Sequence, residues 1–158
     1  MNIAKRTVSK FYVKNRQYIH KHMTCYTLFF DGCSKGNPGI SGAGAVIYND
    51  GVEIYSEAVF VGERETNNMA EYTGLIIGMT EAIRRNIRIL AVKGDSQLVI
   101  KQMKGEYKVK SPNLFEIYKH AKSLDTKFDM ITFEHVYRYD NTRADELSNE
   151  GITQKQNE

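Results

Sequence analysis

The sequence predicts an α/β domain built on a mixed five-stranded sheet, three antiparallel strands followed by parallel crossovers, with helices packed on it. Three observations carry that prediction. The 158 residues fit one domain and not two. Hydrophobic residues at 41% and charged residues at 26% are ordinary for a globular chain, which excludes a wholly disordered protein, a collagen and a disulfide-stapled scaffold. The segments follow the order βββαβααβα, a run of strands and then strand–helix alternation.

Cys25–Phe30 is apolar and aromatic on both faces, the pattern of a buried central strand. Gly42–Tyr48 reads as a second strand, Asn49-Asp50-Gly51 as a turn and Val52–Val61 as a third strand, giving an antiparallel meander. Thr66 or Asn67 caps a helix running to about Arg85. Ile87–Val92 is another buried-type strand, and Asp95 is placed to cap a short helix ending near Gly105. Ser111-Pro112 opens a helix to about Leu124, with Pro in the first turn. Met130–Val136 alternates as a strand, and Asn141 or Thr142 caps a last helix. The domain is expected over residues 23–151, with a polar tail at 152–158.

Charge is uneven. Residues 1–22 hold six basic residues and no acid, out of 22 Lys and Arg in all. The remainder therefore has 16 bases against 19 acids, a net of −3, although the whole chain is at +3. A basic, flexible N-terminal arm of this kind suits contact with a polyanion. A targeting role is the weaker reading, because the arm is poor in Ser and Leu. Apolar runs fall far short of the ~20 residues a membrane helix needs, so no membrane partner is expected. Cys25 and Cys33 give no reason for a disulfide or a zinc site, and a reducing compartment suits them. The expected location is the cytoplasm, the nucleoid or the nucleus, and the expected state is a monomer.

Most acids of such a chain face solvent, so only unusual placements inform. Asp31 ends the first strand and begins the loop DGCSKGNPG. Asp95 follows the Ile87–Val92 strand and begins a helix. If these strands are parallel neighbours, both carboxylates emerge at one C-terminal edge, where open α/β sheets place ligands. Taken singly, Asp31 reads equally as a turn former and Asp95 as a helix cap. Glu71 shares a helix stripe with Gly74, Leu75, Gly78 and Ala82. A glycine inside a helix costs about 1 kcal/mol relative to Ala, and close approach to the sheet would justify two of them. That approach carries Glu71 to the sheet edge; the competing reading is a Glu complementing the helix dipole. Asp145 is not distinguished by position. Clustered carboxylates repel unless a cation lies among them, and hard oxygen ligands select Mg²⁺ or Mn²⁺. Two such ions in a carboxylate cluster are the equipment of phosphodiester hydrolysis.

Four blocks, DGCSKGNPGISGAGAVIY, TNNMAEYTGLIIGM, GDSQLVIKQM and NTRADELSN, resemble in order the motifs of the type 1 ribonuclease H family across residues 25–151. The resemblance implies the ribonuclease H-like fold, with helices on both faces of the sheet. It implies hydrolysis of the RNA strand of RNA–DNA hybrids with two Mg²⁺ (or Mn²⁺) ions, leaving 5′-phosphate and 3′-hydroxyl ends. It assigns Asp31, Glu71, Asp95 and Asp145 as catalytic, metal-binding carboxylates. Gly36, Asn37, Asn67, Asn68 and Gln97 match its nucleic-acid contacts, whose amides suit 2′-hydroxyls and base edges. Cleavage of double-stranded RNA stays open.

Two departures stand out. Many members carry a His-containing loop before the last helix; here the segment HVYRYDNTRAD is shorter and holds no His after Val136, leaving Arg138 or Tyr139 as partial substitutes. His135 precedes the loop, on the strand, and reads as a structural or surface residue. The Trp-containing basic protrusion is also missing, and Lys104, Lys108 and Lys110 form only a modest basic patch. Alternatives are a catalytically weak hybrid-binding module, or another nuclease of the superfamily. A nucleotide-binding Gly-rich loop is excluded, because GNPGISGAG has no GK[ST] ending and leads into a strand.

Overall fold

The computed structural model describes residues 25–156. The basic arm expected over 1–22 lies outside the described residues. Strands β1 (Tyr26–Lys35), β2 (Gly39–Asn49) and β3 (Val52–Glu65) form the meander. Helix α1 (Asn67–Arg84) leads to β4 (Ile89–Gly94), α2 (Gln97–Met103), α3 (Pro112–Asp125), β5 (Met130–His135), a 3₁₀ turn (Arg138–Asp140) and α4 (Thr142–Gln156). The sheet order is β3-β2-β1-β4-β5. β1 is antiparallel to β2 and parallel to β4, and β4 is parallel to β5. The mixed five-stranded sheet expected from the sequence is therefore present.

Alternation along the strands divides the core. Leu28, Phe30, Ala45, Ile47, Leu90 and Val92 face α1, α2 and α3, and pack with Tyr72, Leu75, Met79, Val99, Ile100 and Leu114. On the opposite face Val46 packs with Ala144 and Leu147 of α4. Burial on both sides explains why β1 and β2 read as continuous apolar runs.

The glycine stripe of α1 is a contact surface. A Cβ on Gly74 would lie 2.6 Å from the Asp31 carbonyl oxygen and 2.8 Å from that of Gly44, and one on Gly78 would collide with Leu28. Two opposing effects decide the outcome of Gly74→Ala. Helix propensity favours Ala by about 1 kcal/mol. Overpacking against two backbone oxygens, which cannot rotate away, costs typically 1–3 kcal/mol. Net destabilisation is expected, read as a lower urea midpoint with an unchanged slope.

Among the boundaries that differ from the sequence reading, four shape the site and the core. β1 does not stop at Phe30: it stays paired with β2 through Lys35, while its pairing with β4 ends at Phe30 opposite Gly94. Asp31 is thus a strand residue opposite Gly44, at the point where one neighbour stops and the other continues. β4 begins at Ile89, because Ile87 still belongs to the turn that closes α1, where its N–H donates to Ala82. Ser96, not Asp95, caps α2, its Oγ accepting from Val99 N–H at 3.3 Å. The domain does not end at 151, since α4 runs to Gln156 and buries Ile152. Gly151 sits against the backbone of Val59, so the helix continues over β3 where hydropathy suggested a tail.

Candidate active site

β1, α1 and the β4–α2 junction bring three acids together. The carboxylate oxygens of Asp31, Glu71 and Asp95 offer ligand atoms all within 4.8 Å of one another. Asp31 and Glu71 are buried and Asp95 is half-buried. Gly32 makes this possible: a side chain there would occupy the backbone of Ala70 and Glu71, and would push α1 off the strand.

Such crowding has electrostatic consequences. Burial, and then the charge of Asp95, push Asp31 up to about 7, against a partial offset from hydrogen bonds to Glu71 and Ser148. Glu71 is likewise raised well above the ordinary carboxylate range, first by burial and then by Asp31 and Asp95. Its Oε2 is buried without a hydrogen-bond partner. An unpartnered buried oxygen among mutually repelling carboxylates is what a hard divalent cation satisfies, so the donor set fits Mg²⁺ or Mn²⁺.

Asp145 stands outside this group of three. Its Oδ1 accepts from Arg138 Nη2 at 3.3 Å and from Asn149 Nδ2 at 3.5 Å. Buried Ser148 links it to the others, with Oγ 3.0 Å from Asp31 Oδ2 and 2.9 Å from the Asp145 carbonyl oxygen. Arg138 is held charged first by Asp145, with Asp31 and Asp95 adding to the effect. The arginine of the short loop therefore projects its charge onto the acid cluster.

Two positioning residues went unrecognised as such in the sequence. Ser148 carried only a helical i, i+3 relation to Asp145 as a signal. Asn141, expected only as a cap, is buried and points the other way. Its Nδ2 donates to the Phe30 carbonyl at 2.9 Å and to Asp95 Oδ1 at 3.4 Å, which ties the start of α4 to β1 and to the β4–α2 junction. His135 is structural in a specific sense: its Nε2 lies 3.2 Å from the Asp95 carbonyl oxygen.

The residues expected to meet nucleic acid lie in three places. Gly36 adopts φ +102° in the exposed β1–β2 turn, where a side chain would be strained. Asn37 Oδ1 accepts from Asn67 N–H at 3.0 Å, and Asn67 Oδ1 accepts from Ser34 N–H at 2.7 Å. Thr66 is the helix cap, accepting from Met69 N–H at 3.2 Å, which frees Asn67 for this bridge. Both Asn side chains thus spend their oxygens on the fold and keep their NH₂ donors at the exposed turn. Asn68, with Leu98, Gln102, Tyr107, Lys108 and Lys110, lines a separate open cleft of about 530 Å³. Gln97 is exposed at the first turn of α2, two residues after Asp95.

Comparisons with known proteins converge. Residues 29–151 match the family described as reverse transcriptase-like. The bifunctional protein Rv2228c of Mycobacterium tuberculosis is 43% identical over 123 residues, 77% of this chain and 34% of that protein. This chain therefore spans about a third of the length of that relative. The solved N-terminal RNase H domain of Rv2228c superposes with a TM-score of 0.80 at 40% identity, covering 84% of this chain and 96% of that one. LC11-RNase H1 in complex with RNA/DNA hybrid gives a TM-score of 0.77 at 34% identity, covering 83% and 99%.

Proposed function

The chain belongs to the type 1 ribonuclease H family, and on that premise we propose that it hydrolyses the RNA strand of RNA–DNA hybrids, leaving 5′-phosphate and 3′-hydroxyl ends. The observation that carries this reading is the buried Asp31–Glu71–Asp95 cluster with its unpartnered Glu71 oxygen, set at one end of the sheet. Asp31, Glu71 and Asp95 would hold the metal ions, with Asp145 as the fourth carboxylate. Two bound Mg²⁺ or Mn²⁺ ions would supply an activated water and charge stabilisation at the leaving oxygen.

The remaining roles belong to the chain's own groups. Ser148 and Asn141 hold Asp31 and Asp95 in place through hydrogen bonds to their carboxylates. Arg138 offsets the negative charge that the acids and the scissile phosphate would share. Asn37 and Asn67 present NH₂ donors, and Gly36 a bare backbone, to the 2′-hydroxyls that separate RNA from DNA. Asn68 and Gln97 make minor-groove contacts, and Lys108 and Lys110 add positive charge beside Asn68.

The test is labelled hybrid, DNA duplex and RNA duplex, each with Mg²⁺, with Mn²⁺ and in EDTA. Metal-dependent cleavage of the RNA strand of the hybrid, with the DNA duplex intact, is expected. Equal cutting of DNA duplex would overturn the reading. The loop without its His favours a second reading, a hybrid-binding module with weak hydrolysis, and tight hybrid binding without cleavage would select it. The contact residues have their own measure. Asn68→Ala or Gln97→Ala removes about one hydrogen bond, worth roughly 1 kcal/mol, so hybrid affinity should fall about fivefold. In single-turnover reactions at saturating enzyme the cleavage rate should change less than the affinity does.

A further inference from the structure

Next to the acid cluster lies a set of aromatic rings that the proposed hydrolysis leaves unused. His135, bonded to the Asp95 carbonyl oxygen, meets the Tyr137 ring edge-on at 5.6 Å. Tyr137 in turn stacks on Tyr139, with centroids 5.6 Å apart and planes only 13° from parallel. These two tyrosines are the most open large aromatics among the described residues, 63% and 72% exposed. Between them in sequence stands Arg138, whose guanidinium reaches Asp145. The ring series therefore begins at a carboxylate-bearing loop and runs outward into solvent.

A single exposed ring says little, but two stacked rings exposed side by side form a contiguous patch, and such patches mark interaction sites. Here they serve no core, because the buried clusters do not include them. A continuous duplex is a poor occupant. Its bases already stack on one another, and they offer no free face except at an end. An unpaired base has a free face, and aromatic rings that track a strand bind such bases with little regard to sequence. The contacts that run from the Asp95 carbonyl through His135 to Tyr137 and Tyr139 put such a base beside the acid cluster.

We propose that Tyr137 and Tyr139 form a stacking platform for an unpaired nucleotide flanking the hybrid, so that the protein favours hybrids that end in a single-stranded extension. The inference rests on the hybrid-cleaving reading for its setting, but its test does not need cleavage. Affinity is measured in EDTA with the full chain on a blunt RNA–DNA hybrid, on the same hybrid with a short single-stranded extension, and on one with an abasic extension of equal length. The abasic probe keeps the phosphates and removes the bases, so it separates stacking from charge.

Stacking of one base corresponds to a gain of about fivefold or more in affinity. The extended hybrid should bind the native protein tighter than the blunt one by that factor, and the abasic one should lose the gain. Tyr137→Ala with Tyr139→Ala should erase the ratio, and Tyr137→Phe with Tyr139→Phe should keep it. Both positions are exposed, so a matching melting temperature will show that the Ala variant is folded. An extended-to-blunt ratio of one in the native protein would overturn the proposal. So would an unchanged ratio in the Ala variant, or an abasic extension as good as the natural one. Absence of hydrolysis in Mg²⁺ would count against the catalytic reading alone.

Discussion

Replacing Asp31 with Asn is expected to reduce hybrid cleavage by more than about 100-fold, the upper end of what removal of a mere supporting partner of a metal ligand costs. Asn keeps the shape of Asp, so packing opposite Gly44 should survive. What is lost is charge. An amide offers one neutral oxygen where the carboxylate offered two anionic ones, and divalent cations favour the latter. The Ser148 hydroxyl can still donate to the remaining oxygen, so the local geometry stays close to native. Hybrid affinity in EDTA should hold or rise, since one less anion faces the phosphates. This split between cleavage and affinity distinguishes a ligand from a structural residue. Cleavage by Asp31→Asn at a rate near that of the native protein would remove Asp31 from the active site.

How far such a site can be read from sequence depends on the range of the interactions that build it. Asp31 and Asp95 were legible because a central strand pattern ends near each, and Glu71 because two glycines spoil its helix for a reason that only close packing supplies. Asp145 carried no signal except its motif. In the structure it faces Arg138 and does not join the three other acids. The run of β1 to Lys35 was hidden because a Gly- and Ser-containing segment reads as loop, while pairing with β2 makes it strand. Asn141 was hidden by distance: it donates to a carbonyl 111 residues earlier, and no local pattern reports that. The same holds for the end of α4. Polar residues after Gly151 suggested a tail, yet contact with Val59 carries the helix across β3. Tertiary contact overrides local preference at each of these points.

In the absence of divalent metal, the protein should lose stability as pH rises from about 4 to about 7. Asp31 sets the sign. In the unfolded chain it titrates near 3.8, and in the fold burial and Asp95 raise it to about 7. Between those values the folded state holds a proton that the unfolded state has released. Unfolding free energy therefore falls with pH across that window and levels off above it. Glu71 is shifted in the same direction and steepens the fall. A displacement of this size corresponds to a loss on the order of 3 to 4 kcal/mol for one group. For a domain of this size that is about 10 °C or more in melting temperature. Asp31→Asn, which cannot carry the buried charge, should melt higher than the native protein at pH 8 in EDTA and show a shallower pH dependence. Mg²⁺ should reverse the order of effects, because it binds the ionised carboxylates of the folded state only. At about 100 times its dissociation constant it would add about 2.7 kcal/mol to the native protein at pH 8. The Asn variant should gain much less. Thermal melts of both proteins at pH 5 and 8, in EDTA and in Mg²⁺, measure all of this without a nucleic-acid substrate. Parallel pH profiles, together with no Mg²⁺ shift in the native protein, would mean that the three carboxylates neither repel one another nor hold a cation.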